Sequence, residues 1–107
     1  MVKVGVLFEK LTPQMVLGYV IANDVYREVC STPARITSCT DGKHMVGSKH
    51  GEGNALDLGI KTIPPMYWQT LHLALKKALG ENFDVVLESD HIHMEYDPKV
   101  KPQEGSV

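Results

Sequence analysis

With 107 residues the chain has room for one domain and a small core, burying roughly two-thirds of the surface that the unfolded chain exposes. Hydrophobic residues make up 43% and charged residues 22%, a globular balance that argues against a disordered chain. A formal net charge of −2, with both signs scattered, excludes a surface built to grip polyanions, so neither nucleic acid nor an anionic membrane is an expected partner.

The alternation of Val2, Val4, Val6 and Phe8 predicts a short strand or extended arm at the start. The apolar stretch there is too short for a secretory signal, and no segment approaches the roughly 20 apolar residues of a membrane span. The expectation is a monomer made in the cytoplasm. Two cysteines, Cys30 and Cys39, are too few for a disulfide framework and lack metal-ligand spacing. They are expected as thiols, with a pairing between them left open.

Thr12-Pro13 is a helix start, because threonine can cap free amide groups and proline suits the first helical turn. A helix follows from about Pro13 to Val29. Met15, Tyr19, Ala22, Tyr26 and Val29 form its apolar stripe, widened by Val16, Val20 and Val25. Thr32-Pro33 closes that element, and Ala34 to Cys39 reads as a strand with Ile36 inward. Thr40 to Gly53, with its glycines and an Asp-Gly pair, is a long loop that delivers His44 and His50.

Ala55 to Ile60 is a second strand. Asp57 stands between Leu56 and Leu58 and must face away from them, toward water or a polar site. Pro64-Pro65 opens a second helix, about Pro65 to Leu79, with Tyr67, Leu71, Ala74, Leu75 and Ala78 inward, His72 beside them and Gly80 as its stop. Phe83 to Leu87 and His91 to Tyr96 read as a hairpin across Glu88-Ser89-Asp90. The polar tail from about residue 97, with Pro98, Pro102 and Gly105, is expected to fray.

Chemistry concentrates in two places. His50 and Asp57 flank a glycine-rich turn, and His91, His93 and Glu95 share one face of the last strand while Ile92 and Met94 turn into the core. Two histidines and a carboxylate are a donor set for catalytic zinc, which takes three protein ligands and keeps one position open.

Ser48, His50, Gly53, Ala55 and Asp57 match an SxHxxGxAxD signature, and Asp90, His93 and Glu95 match a later DxxHxE signature. In these motifs, from about Ile36 through Glu95, the chain resembles the zinc peptidases that include D-Ala-D-Ala carboxypeptidases and phage L-Ala-D-Glu endolysins. The resemblance implies an α+β fold, two helices packed on a small, mainly antiparallel sheet, D-Ala-D-Ala metallopeptidase/hedgehog-like. It implies one zinc ion per chain on His50, Asp57 and His93, with Asp90 as the acid/base. From its place on the same face His91 is expected to be able to donate to the oxyanion, and Glu95 is expected to hold a ligand histidine or to lie at the surface.

A second register stays open, with Glu88 as base and His91 as ligand, because Glu88 precedes His91 by the same three positions that separate Asp90 from His93. Members of the family carry an arginine shortly after the Thr-Ser pair that holds a substrate carboxylate. Here Thr37-Ser38 is followed by no arginine, so Lys43, His44 and Ser48 are the substrate-binding candidates, with Lys49 as a further stand-in. Asp90-His91-Ile92 also resembles the opening of the His-Asn-His endonuclease motif, but no asparagine or histidine follows His93.

The sequence reading is therefore one zinc peptidase domain over residues 1–107. Its expected partner is a peptidoglycan stem peptide, cut at D-Ala-D-Ala or L-Ala-D-Glu after a phage or prophage lysis system releases the enzyme to the wall. The alternative is a non-catalytic zinc-binding member of the same fold acting as a binding module.

Overall fold

The computed structural model describes residues 11–38 and 53–98. Over these the elements run helix α1 (Pro13–Cys30), strand β1 (Ile36–Ser38), β2 (Ala55–Gly59), a 3-10 turn (Pro65–Tyr67) leading into helix α2 (Trp68–Leu79), then β3 (Phe83–Leu87) and β4 (His91–Tyr96). The strands form one sheet in the order β1-β2-β4-β3, and every neighbouring pair is antiparallel. The α+β class read from the sequence is the one observed. The expected opening arm, the expected Thr40–Gly53 loop up to residue 52 and the end of the tail lie outside the described residues.

Thr12 caps α1 as its position before Pro13 predicts. Its Oγ1 accepts from the Met15 N–H at 3.3 Å and donates to Asn54 Oδ1 at 2.7 Å, so the same hydroxyl ties the helix start to the entry of β2. Thr12→Ala removes both bonds, and an expected cost of about 1 kcal/mol should show as a lower urea midpoint with an unchanged slope. The other end of α1 stops on Ser31, which takes a left-handed conformation at φ 58°.

Both helices cover one face of the sheet. Met15, Ala22 and Tyr26 from α1 and Leu71 and Leu75 from α2 share a core with Leu56, Leu58, Ile92 and Met94, all fully buried. Tyr26 O–H donates to the Gly59 carbonyl at 3.1 Å, and burial pushes its phenol well above the ordinary range. Tyr19 O–H donates to the Ala34 carbonyl at 2.9 Å, and Asn23 Oδ1 accepts from the Ala34 N–H at 2.9 Å. These bonds place the segment leading into β1.

The stripe on α1 differs in detail from its periodicity. Val20 is exposed, while Gly18 is buried because a Cβ there would lie 2.7 Å from the Phe83 ring and 3.1 Å from Met94. The helix approaches the β3–β4 hairpin too closely for a side chain at that point. The second helix also begins later than Pro65. No Ser, Thr, Asp or Asn caps it, and its first turn tightens so that Tyr67 N–H donates to the Pro64 carbonyl at 2.9 Å. Trp68 Nε1–H pins that turn, donating to the Ile63 carbonyl at 2.8 Å and to Ile60 at 3.2 Å. Tyr67 and Ala78, expected inward, are exposed, and Leu79 is the buried residue of the last turn.

His72 is a structural histidine. Its Nε2–H donates to the Val85 carbonyl at 2.8 Å, joining α2 to β3. Cys30 is a free thiol at the end of α1, its pKa raised by burial, and Cys39 lies outside the described residues. Among the described residues no helix is long and apolar enough to cross a membrane.

Candidate metal centre

The face of the sheet away from the helices carries the polar residues, and strand register decides which of them meet. In the β2–β4 ladder Asp57 stands opposite His93, Gly59 opposite His91 and Ala55 opposite Glu95. Leu56 and Leu58 hold β2 down on the core and Ile92 and Met94 do the same for β4, so period two turns Asp57, His91, His93 and Glu95 outward together. A hydrophobic pattern thus aims a polar constellation.

His93 is the hub. Its Nδ1 lies 2.9 Å from Asp57 Oδ1 and its Nε2 lies 2.8 Å from Glu95 Oε1. The hydrogen bond to Asp57, followed by the one to Glu95 and the charges of both, raises the imidazole pKa to about 9 against a partial loss from burial. Both ring nitrogens thus face carboxylate oxygens, an arrangement that favours the protonated form of the ring.

His91 sits one pleat along the strand. Its Nε2 is 3.8 Å from Asp57 Oδ1, and its Nδ1 bonds Asp90 Oδ1 at 2.8 Å. Asp90 occupies the bend just before β4, where Lys61 Nζ also approaches its Oδ2 at 4.0 Å. The hydrogen bond from His91 holds the Asp90 carboxyl below its usual range, and the charges of His91 and Lys61 act in the same direction. Asp90 therefore stands at the rim, reaching the outward face from the turn. Glu88 is exposed on the far side of that turn, with its backbone N–H bonded to the His91 carbonyl.

Two of the expected ligand atoms, Asp57 Oδ1 and His93 Nδ1, lie side by side. Ligand atoms around tetrahedral zinc, at bond lengths near 2.0–2.1 Å, lie about 3.3 Å apart. Asp57 Oδ1 and His93 Nδ1 at 2.9 Å need to part by only a few tenths of an ångström. A metal there would leave Nε2–H of His93 to donate to Glu95, which fixes the tautomer. The third expected ligand, His50, lies outside the described residues, as do Ser48, Lys43, His44 and Lys49.

Asp57, His91 and His93 do not themselves form a close three-atom ligand set. Among the described residues the one group of three whose ligand atoms all lie within 4.8 Å of one another is Asp84, Glu95 and Asp97. That cluster is carboxylate only and lies at the open end of the β3–β4 pair, away from the turn that carries Asp90.

Three contributions were not read from the sequence. The pairing of β1 with β2 shifts between Ile36 and Ser38, putting an irregularity at Thr37 beside Asp57. Arg35, before the strand rather than after the Thr-Ser pair, lays its guanidinium over Gly59. Lys61 comes from the turn after β2. The only available signals were the alternation of Arg35 with Thr37 and the lone glycine ending a strand, neither distinctive without the register. No family model, no curated protein and no solved structure gives a significant match to this chain.

Proposed function

We propose that the chain is a zinc-dependent peptidase that hydrolyses an amide bond in bacterial peptidoglycan stem peptides. The observation that carries the reading is the opposed pair Asp57 and His93, donor atoms 2.9 Å apart on the polar face of the sheet, contributed by the two motifs in which the chain resembles such enzymes. A zinc ion held by Asp57, His93 and His50 would supply Lewis acidity and a water of lowered pKa.

The residues around it have separate tasks. Asp90, kept ionised by the His91 hydrogen bond, takes the proton of the attacking water and passes it to the departing amine. His91 steadies Asp90 through Nδ1 and turns Nε2 toward the Asp57 side of the face, where only the doubly protonated ring would also have a proton to donate to oxygen charge as the carbonyl is attacked. Glu95 sets the orientation of His93 from behind. Glu95→Gln weakens that acceptor, and zinc affinity, measured by competition with a chromogenic chelator, is expected to fall about 10- to 100-fold.

The direct test is purified peptidoglycan incubated with zinc-loaded protein, scored for new amino groups and by mass spectrometry of the released muropeptides. Release that stops with chelator supports the reading, and the masses distinguish a D-Ala-D-Ala cut from an L-Ala-D-Glu cut. Stoichiometric zinc with no release on any wall preparation would leave the binding module as the better account. In a lysis setting the enzyme would act on the wall only after another protein opened its way.

A further inference from the structure

Beside the candidate centre the sheet has a gap with a cationic wall. Gly59 lies in β2 between Arg35 on one side and His91, its partner in β4, on the other. A Cβ at Gly59 would stand 2.8 Å from the Arg35 guanidinium and 3.1 Å from Thr37 Cγ2, so the absence of a side chain is what lets the arginine lie across the strand. Two strand spacings separate the Arg35 and His91 strands by about 10 Å, and between them the Arg35 guanidinium lies on the Gly59 backbone. The result is a cavity of about 190 Å³ lined by Arg35, Thr37, Gly59, Lys61, Asp90 and His91.

Its charges are unequally committed. Lys61 leans toward Asp90 at 4.0 Å, whereas no carboxylate among the described residues lies within ion-pair distance of Arg35. A guanidinium presents a planar fork of donors that matches a carboxylate in two parallel hydrogen bonds. Asp90 at the opposite rim would repel the same anion, so a bound carboxylate is pushed to the Arg35 side and the atoms next to it lie toward His91.

We propose that this cavity is a carboxylate subsite in which Arg35 grips an anionic group of the ligand over Gly59. The inference rests on the peptidase reading only for what the anchored ligand then undergoes. Two sources of carboxylate fit. A C-terminal carboxylate would end in this cavity. A side-chain carboxylate would let the chain run on into the adjoining cavity of about 360 Å³, which shares Arg35 and Gly59 and continues past Pro33 and Ile63.

The test is binding without turnover on the full chain, by NMR titration of the Gly59 amide and the Arg35 Nε–H. N-acetyl-D-alanine and N-acetyl-D-glutamic acid α-amide each carry one carboxylate, terminal and side-chain respectively, and their fully amidated forms carry none. The expected result is saturable shifts with at least one acid, little with either amide, and binding weakened roughly ten- to hundredfold in Arg35→Gln. Whichever acid binds more tightly identifies the source. Equal binding of acids and amides by the unmodified protein, or Arg35→Gln binding as tightly as the parent, would overturn the subsite. Because nothing is hydrolysed, a chain without peptidase activity can still show the subsite. A peptidase whose KM ignores both amidation and Arg35→Gln would stand without it.

Discussion

Asp57→Asn is expected to strip zinc from the protein and to lower peptide hydrolysis by about a thousandfold or more, while the domain stays folded. The substitution keeps the shape of the side chain and can still bond His93, so the packing of Leu56 and Leu58 beneath it is undisturbed. What it removes is the anionic donor. Metal content after dialysis, read beside an unchanged far-ultraviolet circular dichroism spectrum, separates this from unfolding. A variant that holds one zinc and keeps full activity would refute the assignment of Asp57. His93→Ala should lose the metal equally. His91→Ala should retain it, because His91 Nε2 is 3.8 Å from Asp57 Oδ1 and its Nδ1 is engaged by Asp90. Loss of zinc on replacing His91 alone would transfer the ligand role and revive the Glu88 register.

Stability of the chelator-treated protein is expected to fall by about 3 kcal/mol as pH rises from 6.5 to beyond 9. The clamp of Asp57 and Glu95 raises His93 from the ordinary 6.5 to about 9, and each unit is worth about 1.36 kcal/mol. The sign follows from proton binding. Between those values the folded chain holds a proton that the unfolded chain has released, so stabilisation is complete below 6.5 and lost as pH passes 9. Urea midpoints across that range check it, and a flat profile would show that His93 is not clamped. Zinc reverses the dependence, since binding at His93 must displace the same proton. Affinity should rise close to tenfold per pH unit until about 9, then level off. Glu95→Gln should shift that plateau to lower pH.

Much of the architecture was legible because it depends on local rules. Thr12-Pro13 marks the start of α1 through capping and a fixed φ, and Gly80, at φ 85°, ends α2 where other residues would be strained. The alternation of Leu56-Asp57-Leu58 and of His91-Ile92-His93-Met94 states which residues share a face before any partner strand is known. Errors fall where a second element intervenes. Val20 continues the apolar period of α1 but points past the sheet, and Gly18 breaks it yet sits against Phe83 and Met94. Periodicity gives a direction around a helix axis and cannot say how wide the contacting surface is.

The site divides along the same line. That Asp57, His93, His91 and Glu95 belong to a polar face, with Asp90 in the turn beside it, was determined by the sequence, since strand parity and turn chemistry act within a few residues. That His93 and not His91 stands against Asp57 was decided by the β2–β4 register, a pairing across 36 positions that no local rule encodes. Arg35 became a candidate anchor for the same reason. It precedes its strand by one residue, looks like an ordinary surface cation in the chain, and reaches the candidate centre only because β1 pairs with β2 at a glycine. Local chemistry chose the residues, and long-range pairing chose their neighbours.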